Sequence, residues 1–161
     1  MSTECLFTIR AKGDKRGLVE LYKTMDLKHP NKLGFFRLFE VDPGGKHEKH
    51  EDGDVIVSIS GVCVHSAYSC MLEGPNTYYN SYMASGNFTE DFKGTNMLIE
   101  SERLNLEIEI YSTVYGDNFE EYYYIKKGEL LIERVEEFEL YYDEDNNEIG
   151  DGPSMVRTCQ F

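Results

Sequence analysis

Reactive side chains gather in a few short stretches. "HEKHE" (47–51) sets His47 and His50 three residues apart among carboxylates, and "CVHSAYSC" (63–70) adds Cys63, His65 and Cys70. Imidazole nitrogen and thiolate sulfur are the usual zinc ligands, but neither stretch has standard ligand spacing, so buried thiols and a strand-end histidine stand beside a joint metal site. "DEDNNEIGD" (143–151) puts Asp143, Asp145, Asn147 and Asp151 at positions 1, 3, 5 and 9 of a calcium loop, with Glu148 where the turn glycine belongs and Ser154 where the bidentate Glu belongs. A cysteine nucleophile paired with His65 would need surroundings that favour thiolate, and nothing in the sequence supplies them. No phosphate-cradling glycine loop or GxSxG elbow is present. The expectation is no catalytic residues, no metal and no cofactor.

The strongest chemical signal is acidity. Residues 118–148, "NFEEYYYIKKGELLIERVEEFELYYDEDNNE", hold eleven carboxylates and seven aromatic rings against three basic side chains. Residues 1–50 have net charge +3, residues 51–100 have −6 and residues 101–161 have −11, within a chain total of −14. Phosphate binding needs clustered Lys and Arg, so direct nucleic-acid binding is excluded for the acidic half, and anionic membranes are disfavoured on the same ground. Two explanations of the acidity remain: a sheet face kept soluble by like charge, and a surface that meets a basic partner.

The elements that must position these groups follow from periodicity. At 161 residues the chain fits a single domain, 1–161. "ECLFTIRA" (4–11) alternates as a strand, and Leu18, Leu21, Tyr22 and Met25 recur at helical spacing behind Asp14 as an N-cap. "GFFRLFEV" (34–41) reads as a strand or an aromatic connection, and 42–54 as a polar loop. "DVIVSISGVCV" (54–64) reads as a strand, 65–72 as a short helix, 73–94 as a long connection, and 95–104 as a helix capped by Thr95. From Leu106 on, three strands form an antiparallel meander. Leu106, Ile108 and Ile110 face the core there, with Glu107 and Glu109 outside. Along 129–142 the even positions include Leu130, Ile132, Phe138, Leu140 and Tyr142 and the odd ones Glu129, Glu133, Glu137 and Glu139, so these carboxylates are expected to share a face. A bulge or edge near Arg134 and Glu136 accounts for the break in alternation. The expected architecture is α+β, an antiparallel sheet with two helices on one face. Ile9, Leu21, Ile56, Ile59, Leu98, Ile108 and Ile132 are the expected core.

The N-terminus lacks the apolar core and cleavage site of a signal peptide, no apolar run is long enough to span a bilayer, and the four cysteines lack CxxC spacing. The expectation is a cytoplasmic protein with reduced thiols.

The succession "SGVCVHSAYSCML", "LNLEIEIYS" and "YGDNFEEYYYIKKGE" resembles the YubB-type ferredoxin-like family of plasmid and phage proteins. The matching features are Gly61, Ser66, Ser69, Cys70 and Met71, Leu106 to Ser112, Phe119, Glu121 and Lys127 to Glu129. The resemblance implies a ferredoxin-like α+β fold and a mobile-element origin, with no catalytic residues to transfer. Joined to the charge, it leads to the expectation of a non-enzymatic acidic binding protein. Such a protein would be an inhibitor of anti-CRISPR or anti-restriction type that mimics nucleic acid in the basic groove of a host-defence nuclease. The partner-binding residues would be Glu107, Glu109, Glu120, Glu121, Glu129, Glu133, Glu137, Glu139, Asp143, Glu144 and Asp145. The alternatives are an interaction or structural domain whose acidity serves solubility, and a metal-dependent enzyme.

Overall fold

The structure, a computed structural model, describes residues 3–26, 33–35, 37–42, 48–49, 52–74 and 93–161. His47, His50 and most of the connection expected over 73–94 lie outside the described residues.

Strand β1 (Glu4–Gly13) alternates a buried row, Cys5, Phe7, Ile9 and Ala11, with a more polar row that includes Thr8 and Arg10. Helix α1 (Lys15–Met25) follows, its first turn closed by the Asp14 carboxylate, which accepts from Gly17 N at 2.7 Å. Then come β2 (Leu33–Gly34), β3 (Leu38–Asp42), β4 (Glu48–Lys49) and β5 (Val55–Val64). A short π-helical turn, Tyr68–Leu72, and β6 (Lys93–Gly94) precede helix α2 (Met97–Leu104). The N-cap of α2 is Asn96, not Thr95: Asn96 Oδ1 accepts from Ile99 N at 2.9 Å, while the Thr95 hydroxyl turns inward to Glu100 at 3.1 Å. The meander is β7 (Glu107–Val114), β8 (Phe119–Lys126) and β9 (Glu129–Glu137), and a small hairpin, β10 (Tyr141–Tyr142) and β11 (Glu148–Ile149), follows it.

The fold is mixed α+β. The main sheet has the order β3-β5-β1-β7-β8-β9 with every neighbouring pair antiparallel, and β4 also pairs with β5. Leu18, Leu21 and Met25 of α1, Met97 of α2 and Cys70, Met71 and Leu72 of the π-helical turn join one core with the sheet row that includes Phe7, Ile9, Ile59, Ile108, Ile110, Tyr123 and Ile125. Of the seven expected core residues, Ile9, Leu21, Ile56, Ile59 and Ile108 are buried, whereas Leu98 and Ile132 are half-buried.

The opposite face of the sheet has its own apolar cluster, Tyr122, Tyr124 and Met155, with Tyr111, Ile132 and Phe161 packed against it. Met155 and Phe161 come from residues 152–161, a strap without regular structure that lies over this face. Gly150, at φ +107°, turns the chain into the strap, where any side chain would strike the Glu139 carbonyl.

Two expectations about facing are corrected here. The register of β8 and β9 shifts between Tyr124/Ile132 and Ile125/Leu130, so the bulge falls at Leu131 instead of near Arg134 and Glu136. The extra residue puts Leu130 with the helix-side core and Ile132 with the strap-side cluster. The four carboxylates expected on one face are therefore divided by the bulge: Glu133 and Glu137 stand beside Tyr123 and Phe119 on the helix side, while Glu129, before the bulge, stands beside Lys126 on the strap side, as does Glu136 beside Glu120.

Candidate functional site

The acidic and aromatic composition of β7 and β8 is largely a hydrogen-bonded ladder inside the protein. "EIEIY" (107–111) runs antiparallel to "EEYYY" (120–124), with Glu109 opposite Tyr124 and Tyr111 opposite Tyr122. A tyrosine side chain is long enough to reach the diagonal neighbour on the paired strand, and for each of these tyrosines that neighbour is a carboxylate. Thus Tyr124 Oη donates to Glu107 at 2.5 Å, Tyr122 Oη donates to Glu109, and Tyr111 Oη donates to Glu120. All three pairs lie on the strap side.

The strap completes the coordination of two of these carboxylates. Glu120, 1% exposed, accepts from Ser154 N at 2.9 Å and Met155 N at 2.8 Å. Glu109, 5% exposed, accepts from Gln160 N at 3.2 Å and from the Arg10 guanidinium at 3.0 Å. Tyr122 Oη also lies 3.0 Å from Thr158 O, Arg134 donates to Val156 O at 3.0 Å, and the Arg157 guanidinium sits 3.5 Å above the Tyr111 ring. Burial first, then the bonded carboxylates, push the phenols of Tyr122 and Tyr124 above the ordinary range. Glu107 lies half-buried between Lys12 (3.6 Å) and Lys126 (3.8 Å).

Glu121 points the other way, into the helix-side core. It accepts from Ala67 N at 2.8 Å and Tyr68 N at 3.2 Å, so it caps the π-helical turn from a distant strand, and it also accepts from Ser112 Oγ and Tyr123 Oη. The Cys5 thiol is 3.9 Å away. Cys5, Cys63 and Cys70 are buried near one another, and contact with the other two thiols, followed by burial, pushes the Cys63 thiol up. His65 is exposed at φ +69° just past β5, where its backbone N–H bonds Thr3 O at 2.8 Å. Among the described residues, no three His, Cys, Asp or Glu side chains converge as metal ligands. Asp143 is occupied by its own turn, accepting from Asn147 N at 2.8 Å and Asp145 N at 2.9 Å, and these bonds hold its carboxyl below the usual range.

The eleven residues expected at a partner surface therefore divide. Glu109, Glu120 and Glu121 are buried and each accepts at least three hydrogen bonds from within the protein, which corrects the expectation that they face outward; Glu107 and Asp143 are half-buried and also bonded internally. Glu129, Glu133, Glu137, Glu139, Glu144 and Asp145 are exposed, along β9 and the hairpin after it. Sequence reading missed that Glu136, Glu148 and Asp151 join this set, and that exposed apolar side chains stand among them: Leu131, Val135, Tyr141 and Tyr142 are all more than half exposed. The pairing of "EIEIY" with "EEYYY" was the available sign that the other carboxylates turn inward.

A groove of about 190 Å³ runs between α1 and β5, lined mainly by Leu18, Val19, Tyr22, Val55, Val57 and Ile59. Among the described residues, no helix is long and apolar enough to cross a membrane. No family model, curated protein or solved structure matches the chain.

Proposed function

We propose that this chain is a non-enzymatic binding protein that engages a basic protein through the acidic surface formed by β9 and the β10-β11 hairpin. One observation supports this most directly. After the buried carboxylates are set aside, edge strand β9 still exposes Glu133 and Glu137 on its helix side and Glu129 and Glu136 on its strap side, with Glu139, Glu144, Asp145 and Glu148 beyond them, and exposed Leu131, Val135, Tyr141 and Tyr142 stand among these carboxylates. Charge alone would serve solubility, whereas apolar and tyrosine side chains inside a field of like charge suit recognition. Arg134, the basic residue of β9, is held by Glu136 at 2.5 Å and does little to offset the field.

The partner class in this reading is a nucleic-acid-binding host-defence effector whose basic groove the acidic surface occupies in place of DNA or RNA. A net charge of −14 favours such a groove and repels nucleic acid itself. For the scaffold, β1-α1-β3-β5-α2-β7 with strand order β7-β1-β5-β3 supports a ferredoxin-like core, with β8 and β9 added beyond β7.

Charge reversal tests the proposal. Asp143 is left intact because it holds its turn, and Glu133→Lys, Glu137→Lys, Glu144→Lys and Asp145→Lys are combined. Against RNA-guided nucleases and restriction enzymes, calorimetry should show binding that weakens with salt, competes with the effector's nucleic acid, and falls at least about tenfold in the variant. Absence of wild-type binding to such basic effectors at low salt would return the surface to a solubility role.

A further inference from the structure

The position of β9 in the sheet says how a partner would attach. β9 is the last strand on its side, and among the described residues nothing pairs with its outer edge. It is 9 residues long and keeps a continuous register from Ile132 to Glu137. A strand edge of this length presents alternate backbone N–H and C=O groups ready for a further strand. Its side chains select the occupant. On the helix-side face the row reads Glu133, Val135, Glu137, all exposed, with Val135 at 55%. The exposed Leu131 bulge precedes this row. A second copy of the chain would bring β9 carboxylates up to one another in a low-dielectric contact, so self-pairing is disfavoured. A strand with basic residues opposite Glu133 and Glu137 and an aliphatic residue opposite Val135 matches the row in both charge and burial.

We infer that the outer edge of β9 accepts an extended segment of a partner protein as an added strand, with basic, aliphatic and basic side chains at alternate positions facing Glu133, Val135 and Glu137. The inference rests on the proposed role of the acidic surface and adds to it the mode of attachment: backbone hydrogen bonds supply the ladder, and the alternating row supplies specificity.

The test uses a synthetic peptide of 9 residues, the length of β9, with Lys, Val and Lys at alternate central positions. Two further versions carry backbone N-methyl groups on one or the other set of alternate residues. Only one set can face β9 in an added strand, so one methylated peptide should bind like the parent and the other should lose at least about tenfold in affinity. Equal binding of all three peptides would overturn strand addition while leaving an acidic surface that attracts cations. No binding of the parent peptide would also overturn it, and the effector titration above would then decide the surface's role separately. As a second arm, Glu133→Lys combined with Glu137→Lys should lose the Lys-Val-Lys peptide and take up its Glu-Val-Glu counterpart. Circular dichroism confirms that the variant is folded, and failure of a folded variant to switch would overturn the assigned row.

Discussion

Replacing Glu120 by Ala should free the strap over the sheet without dismantling the sheet. The side chain is 1% exposed and accepts three bonds, from Ser154 N, Met155 N and Tyr111 Oη. A hydrogen bond to a charged group contributes about 1.5–3 kcal/mol, so the two strap donors together account for about 3–6 kcal/mol. Part of this is returned, because the variant no longer holds a desolvated charge, and about 2–4 kcal/mol of easier strap opening remains. At tenfold per 1.4 kcal/mol, amide exchange at Ser154 and Met155 should accelerate about 30- to 700-fold, up to the limit set by global unfolding. Hydrogen exchange read by NMR or mass spectrometry measures this directly, with core amides of β1 and β7 as the internal reference. Val156→Ala, at a side chain that is 73% exposed, should leave exchange unchanged. Native-like exchange at Ser154 and Met155 in a folded Glu120→Ala protein would refute the assignment of Glu120 as the strap's anchor.

Alkaline pH should also destabilise the protein. The phenols of Tyr122, Tyr123 and Tyr124 are pushed up by burial and then by neighbouring carboxylates, so the native state keeps protons that the unfolded chain loses near about pH 10. Their contribution is fully present below that pH and is lost as pH rises above it; denaturant midpoints that do not fall between about pH 8 and about pH 11 would contradict this. Ile108→Ala should cost about 2–5 kcal/mol in chemical denaturation, because the side chain is 0% exposed in the helix-side core, and a loss below about half a kcal/mol would place it outside that core.

Much of the scaffold was legible because one face of each element is apolar. Alternation identified Leu106, Ile108 and Ile110 as core, and helical spacing behind Asp14 marked the first helix. Glu109 was misread for a reason alternation cannot reveal. Period two assigns a residue to a face, but whether that face meets water depends on what crosses it, and residues 152–161 have no periodicity that marks them as a cover. The bulge at Leu131 was misplaced for a related reason: a register shift is a property of two strands, and the partner fixes where the extra residue falls. Of the candidate surface, the exposed charges of β9 and the hairpin could be read, whereas Glu120 and Glu121, adjacent in sequence, go to opposite faces and are both buried by segments distant along the chain.

The strap's place downstream of every strand it covers has a consequence for biosynthesis. During translation β1, β7 and β8 leave the ribosome before residues 152–161, so the strap face of the nascent sheet waits uncovered while helix-side packing is already possible. In that interval Glu109 and Glu120 are hydrated carboxylates on an open surface, where they oppose association between neighbouring nascent chains. When the strap arrives, its N–H groups replace the lost water, and the same side chains change from solubilising charges to interior anchors.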